Sequence, residues 1–588
     1  MGPLHAAEET CRRNSGDAGM NHTTASWQQT YSLFGQGLCV SALLAALPIF
    51  TLLFLLGVLR KAAWVAGIAS LAVAFVLAIA GYGMPAKAAV SAAAYGGAFG
   101  LFPISWIIFW AIALFRVTVE TGKFEIIRDS IGRLTADPRL QALLIAFAFG
   151  AFLEGAAGFG TPVAIAATML TGLGFSPFSA SAICLLTNTA PVAFGSIGIP
   201  VITLAGTTGL PVEKLSRAVG LMCSPVALII PVYLIVAMGG FGAMSGVWLP
   251  AVVAGAAFAV VQLLVSSFMG PQLSSILAAI ASMAVLILLL RLRNRRAHGV
   301  ERLEAAAFVA TSGADLRMVG LQGSPASSEA PSIEVISHPG SGQVFYAWSP
   351  YALLLASMML WGLAPVQKLL SKGTLVFAWP ALHDVVQRMP PVASAPSPYH
   401  AIYSLNLLSA SGTACMAATL LAAICLRVSL GHFAKILIRV TRQMALPIAT
   451  VALVLGIGFL MNYCGATATL GLAFASTGRL FPFFSPLLGL LGVFLTGSDT
   501  SSNALFGNLQ VVTATRLSLD PVLMAGANAA GGVMGKMISL QTIAVAAAAT
   551  GLSVKEQSRL FRFTLRHSLF LAFVIGCLAL FYTYVLHI

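Results

Sequence analysis

The sequence predicts an all-α polytopic membrane protein with about 12 to 14 transmembrane helices in two related halves, with interrupted helices or re-entrant hairpins at the midplane. Three observations predict it. Hydrophobic residues make up 58 % of the 588 residues and charged residues only 9 %, with a mean hydropathy of +0.92. The apolar runs repeatedly reach the roughly 20 residues that cross a bilayer, and helices satisfy every backbone group within such a run. Each half also contains one polar or glycine-rich break, a composition that a regular lipid-facing helix avoids because Gly costs about 1 and Pro about 3 kcal/mol relative to Ala.

Taken in order, residues 1–31 are polar, carry acids beside Arg12 and Arg13, and lack the apolar core of a signal peptide. They are expected to form an extracytoplasmic tail. The first transmembrane half follows at 32–290, with Leu33 to Leu59 entering, Ala62 to Gly81 leaving and Pro103 to Val119 entering again. Residues 291–347, rich in Ser, Gly, Glu and Arg, are too polar and too short to bury a core and are expected to be a cytoplasmic linker. The second half occupies 348–588, and its last span is expected at Leu569 to Leu586. Within it, Gln367 to His400 is a polar loop that faces outside by alternation.

The net charge of +14 reports topology rather than nucleic-acid binding, because the basic residues lie in clusters between the spans. Those at Arg60 and Lys61, Arg116 to Arg139, Arg291 to Arg296, Arg427 to Arg442 and Lys555 to Arg566 are assigned to the cytoplasm, which puts both termini outside. Of the eight cysteines, all but Cys11 lie in apolar runs without paired spacing. They read as small core hydrophobes rather than disulfides or metal ligands.

The first break is FGAFLEGAAGFGTPVAI, Phe149 to Ile165, in which Glu154 stands among Gly150, Gly155, Gly158 and Gly160, and the next charge is Glu213. An acid at that depth costs about 2.5 to 3.5 kcal/mol on insertion scales and marks a functional site by default. Glu154 is expected to load and release a proton; a structural acid that caps a half-helix or pairs with a lysine is the plain alternative. The second break, Thr496 to Gln510, sets Asp499 among Thr496, Ser498, Thr500, Ser501, Ser502 and Asn503. Hydroxyls and N–H groups there would stabilise a carboxylate, so Asp499 is either a second proton-coupling group or a helix cap. Its hydroxyl neighbours suit an anionic substrate without placing a fixed charge in lipid.

Lys536 has no charged neighbour between Asp520 and Lys555. It pairs with an acid, attracts the substrate, or snorkels to an interface. Asn188, Asn462 and Tyr463 are polar side chains in apolar runs, and such residues also serve simply to bond helices together. No Walker A loop, H-E-x-x-H, G-x-S-x-G or Cys/His cluster is present, so an ion gradient is the expected energy source, no enzyme activity is expected and no cofactor or metal is expected.

From about Trp27 to the end, the chain resembles the bacterial L-lactate permease family of lactate and glycolate proton symporters. The resemblance rests on FGAFLEGAAGFGTPVAI, NTAPVAFGSIGIP (Asn188 to Pro200), GVFLTGSDTSSNALF (Gly492 to Phe506) and GGVMGKMIS (Gly531 to Ser539). It implies proton-coupled uptake of a small 2-hydroxymonocarboxylate across a bacterial inner membrane. Kinship with the ion-transporter superfamily, with paired hairpins and in several cases an elevator-like motion, is implied too. Where the family has Ser-Pro-Gln after the lysine motif, this chain has Ser539-Leu540-Gln541, which puts a proline-shaped break in doubt.

The expected partners are lactate or glycolate, H⁺ and the lipid bilayer, with no nucleic acid. Proton coupling is expected of Glu154 and Asp499. Substrate contacts are expected from Gly155, Gly158, Gly160 and Thr161 in the first break, and from Ser498, Thr500, Ser501, Ser502 and Asn503 in the second. Asn188, Asn462, Tyr463 and Lys536 complete the expected site, with Ala157 or Phe159 as an apolar wall for the lactate methyl. The rival readings are a symporter for a dicarboxylate, citrate or gluconate, a sodium-coupled exchanger of the same architecture, and a membrane enzyme or sensor that binds lactate without moving it.

Overall fold

The computed structural model describes residues 27–296 and 340–587, apart from Arg133 and Phe159. Most of the N-terminal tail, most of the linker, Cys11 and the expected wall residue Phe159 therefore lie outside the described residues. Among those described, ten helices are long and apolar enough to cross a membrane, and up to thirteen if each of three bent pairs is one span. No closed sheet accompanies them.

Small residues set how closely the helices pack, as expected where no hydrophobic force drives helices together in lipid. A Cβ on Gly96 would lie 2.4 Å from the carbonyl oxygen of Leu455. Helix Ala86–Phe99 thus lies directly on the backbone of α5 (Leu430–Cys464). The third span is consequently longer than the sequence suggests: it runs from Ala86 to Glu120 and bends at Phe102, whose backbone is extended ahead of Pro103. Its Ala- and Gly-rich first half carries too little hydrophobicity to read as membrane-spanning by itself. The last helix likewise begins earlier, at Val554, and runs to Tyr584.

Two faces are defined by contacts at the ends of α5. At its start, Arg439 pairs with Glu120 at 3.0 Å and Gln443 accepts from Arg116, which joins two of the basic clusters. Toward its other end, about 36 Å along the helix from Arg439 at 1.5 Å per residue, Tyr463 donates to the carbonyl of His400. The loop there is not irregular. Strands β2 (Leu375–Ala378) and β5 (Ile402–Leu405) pair antiparallel, and β3 (Val386–Arg388) pairs with β4 (Ser397–Pro398) and, in parallel, with β1 (Trp27–Gln28). The resulting cap holds the N-terminal segment on the face opposite the joined basic clusters. Of the described cysteines, Cys184, Cys223, Cys415 and Cys464 are buried as expected, whereas Cys39, Cys425 and Cys577 lie on the outer helix surfaces.

Candidate functional site

In the first half, α1 (Gly150–Ala156) stops at the glycine run, and α2 (Thr161–Gly172) restarts after Gly160, whose φ of 78° is the left-handed conformation that glycine adopts freely. Helix α3 (Pro177–Thr187) then ends at Asn188, and α4 (Gly195–Thr208) becomes regular only after Ser196, Ile197 and Gly198, with φ of 47°, 61° and 76°. A left-handed β-branched Ile is strained by roughly 1–3 kcal/mol and persists only where its surroundings enforce it. Here they do. Ser196 Oγ donates to Ala157 O, and the carbonyls freed by the break are taken by Gln262 (to Ala190, 3.1 Å) and Ser275 (to Pro191, 2.7 Å).

The second half repeats the device. Helix α6 (Phe481–Thr496) ends at the left-handed Gly497, and α7 (Asp499–Arg516) starts under an N-cap from Ser498. Helix α8 (Pro521–Lys536) ends at the lysine, and α9 (Leu540–Thr550) starts under a cap from Ser539. The break after Lys536 therefore forms without a proline at 540.

Helices α4 and α7, one from each half, run parallel and side by side. Asn503 Nδ2 donates to Pro200 O at 3.2 Å, Thr207 Oγ1 donates to Asn503 O at 3.4 Å, and a Cβ on Gly507 would meet Leu204 at 2.6 Å. This register sets Asp499 level with Ser196, so the two half-helices present their positive N-terminal ends together. Glu154 of α1 reaches the same point, since a Cβ on Gly195 would lie 2.9 Å from its Oε1.

At that point Lys536 Nζ donates to Glu154 Oε1 at 2.8 Å, with side-chain exposures of 11 % and 2 %. Glu154 Oε2 and both oxygens of Asp499 are buried without a hydrogen-bond partner. The expected stabilisation of Asp499 by its hydroxyl neighbours is thus not what forms, because Ser498 caps α7 and Ser502 Oγ donates to Gly489 O. Asp499 instead packs on Gly532, one turn before Lys536 on α8. Two carboxyls and one ammonium, from the three helix segments α1, α7 and α8, therefore share one enclosed centre.

A chain of buried amides braces it. Gln510 Nε2 donates to Asn528 Oδ1 at 3.0 Å, and Asn528 Nδ2 donates to Asn503 Oδ1 at 2.9 Å. Asn528, Gln510, Ser196 and the packing glycines Gly195 and Gly532 were not expected from the sequence. Asn528 carried the same signal as Lys536, a polar side chain in an apolar run; the glycines carried none.

The other expected residues divide by position. Gly155 packs against Ile276, and Gly158 against Ser196 Oγ, which a Cβ would approach to 1.8 Å. Asn188 is buried with an unpartnered Nδ2. Thr161 opens α2, and its side chain lies outside the described residues. Asn462 bonds helices, donating to Thr207 O and accepting from Asn508. Tyr463 stacks on Tyr399 at 4.3 Å beneath the cap. Thr500 and Ser501 have no side-chain hydroxyl bond among the described residues, unlike Ser498 and Ser502.

Two clefts lie one on each face, and no residue of the centre lines either of them. One of about 740 Å³ lies beside the far end of α2, lined by Arg116, Arg128, Thr168 and Gly172 among others. The other, about 820 Å³, lies beneath the cap by Gln29, Tyr31, Pro390 and Arg516.

Residues 41–586 match the family model described as L-lactate permease. The chain is 44 % identical over 565 residues to the L-lactate permease of Bacillus subtilis (strain 168), covering 93 % of this chain and 97 % of that protein. It is 42 % identical over 570 residues to the glycolate permease GlcA of Escherichia coli (strain K12), covering 95 % and 98 %. The L-lactate permease of the same strain is 40 % identical over 568 residues, with the same coverage.

Proposed function

The chain belongs to the L-lactate permease family, and on that premise we propose that it imports L-lactate, with D-lactate and glycolate, by proton symport across the bacterial inner membrane. The cap and both termini face the periplasm, the basic face meets the cytoplasm, and the two clefts are the outer and inner approaches to a closed carrier. Residues 32–290 and 348–588 act as two halves joined by the 291–347 linker.

The observation that carries this reading is the buried Glu154–Lys536 pair at the meeting of two half-helix N-termini. In the empty carrier the pair is neutral. A proton on Glu154 releases the ammonium, which then takes the carboxylate of lactate, helped by the N–H groups at the start of α4 and α7. Thr500 or Ser501 takes the substrate hydroxyl, and Ala157 borders the methyl. Asp499, whose two oxygens no donor reaches, stands beside the pair as the second proton-coupling group.

Counting charge gives the coupling. Glu⁻ with Lys⁺ sums to zero, and so does GluH with Lys⁺ and lactate⁻. Substrate alone would add an unmatched anion, and a proton alone would leave a bare ammonium, each costing several kcal/mol in the membrane interior. The two therefore cross together. One buried ammonium also matches one carboxylate, which favours a monocarboxylate over a dicarboxylate or citrate.

Proteoliposomes test this. Glu154→Gln should abolish lactate accumulation driven by a pH gradient while lactate counterflow remains measurable. Uptake by that variant with the wild-type pH dependence would overturn the assignment. Counterflow of labelled lactate against glycolate, succinate, citrate and gluconate tests the substrate class.

A further inference from the structure

We propose that His383, Asp384 and His400, on the cap, form a binding site for a transition-metal ion of the zinc class. His383 and Asp384 are adjacent, His400 follows 16 positions after Asp384, and the cap's hairpin brings the three together. His383 and Asp384 lead into β3, His400 follows β4, and the strands between them are registered by Gln387 against Pro398 and Arg388 against Ser397. Backbone bonds from His383 N to Trp379 O and from Trp379 N to Ala401 O fix both ends.

Asp384 sits at φ 58°, in the left-handed region. That conformation turns its two oxygens toward different rings, with Oδ1 2.6 Å from His400 Nδ1 and Oδ2 3.3 Å from His383 Nε2. One ligand atom from each residue can be chosen so that all three fall within 4.8 Å of one another. Four ligands about 2.0–2.2 Å from a zinc ion stand roughly 3.3 Å apart in a tetrahedron, so small side-chain shifts close the site.

Two imidazoles and a carboxylate suit Zn²⁺, Cu²⁺ or Ni²⁺, whereas Mg²⁺ and Ca²⁺ prefer all-oxygen shells. The side chains are a quarter to a half exposed, which leaves the fourth position to water. His383 would give up one bond, the Ala401 N–H that its Nδ1 accepts, because a ring that ligates through Nε2 carries its proton on Nδ1.

The site also has a lever. The carbonyl of His400 accepts from Tyr463, and Tyr399 stacks on the same ring. Tyr463 lies in the last turn of α5, two residues before the left-handed Gly465. A metal ion that stiffens the cap would hold that helix end, so uptake should slow on adding Zn²⁺ and recover with EDTA.

The test is isothermal titration of Zn²⁺ into the EDTA-stripped full chain in detergent, with Mg²⁺ and Ca²⁺ as comparisons. One saturable site is expected for Zn²⁺ and none for the other two. His400→Gln and Asp384→Asn, each checked for an unchanged thermal melt, should weaken binding at least tenfold. If either variant melts early, His383→Gln serves in its place. No zinc binding by the parent chain, equal binding of Ca²⁺, or unchanged affinity in the variants would overturn the proposal, and none of these outcomes depends on lactate transport.

Discussion

Asp499 rests on the bare backbone of Gly532, where a Cβ would come within 2.3 Å of its Oδ1. Gly532→Ala should therefore destabilise the protein even though Ala is the better helix former. Overpacking costs about 1–3 kcal/mol, against the roughly 1 kcal/mol that helix propensity returns. A lowered thermal melt of the purified protein, partly restored by adding Asp499→Gly, is the expected outcome. Equal melts for parent and Gly532→Ala would show that the carboxyl has room to move.

Lys536→Gln should be more damaging than its size suggests. Removing one partner of a buried pair leaves the other charge uncompensated, at a cost of about 3–5 kcal/mol. The double variant Glu154→Gln/Lys536→Gln should recover most of that stability while remaining unable to accumulate lactate. Thermal melts and vesicle uptake on the four proteins separate the two effects.

Asn528→Ala strands Asn503 Oδ1 and removes one of the two acceptors of Gln510 Nε2, which keeps Ser485 O. Each stranded buried group costs about 1–3 kcal/mol. Because the same chain of amides holds α7 against α8, a double-mutant cycle with Asn503→Ala should show coupling of about 0.5–3 kcal/mol.

Gln29 Nε2 donates to the carbonyls of Asn462 and Tyr463, at 3.0 and 2.9 Å, which the end of α5 would otherwise leave unpaired. Gln29→Ala should lower stability by about 1 kcal/mol or somewhat more. Proteolysis of the N-terminal segment should accelerate in the same variant.

What the sequence disclosed follows the cost of misplacement. Glu154 and Lys536 stood out because a charge in an apolar run is expensive, and they proved to be each other's partner, 382 positions apart. The isolation of Asp499 was hidden, because a hydroxyl-rich neighbourhood looks the same whether its oxygens face the acid or, as with Ser502, a neighbouring carbonyl. The left-handed Ser196–Gly198 turn was hidden as well, since its enforcing contacts come from Ala157, Gln262 and Ser275, distant in sequence. The cap was read as loop because its strands are two to four residues long.

The long separation of the acid from its cation bears on how the chain is made. Glu154 leaves the ribosome 382 residues ahead of Lys536, so the early helices must wait in the translocation machinery, or keep their carboxyl protonated, until the later ones arrive. A first half synthesised alone should be unstable in the bilayer, and supplying the second half as a separate polypeptide should rescue it.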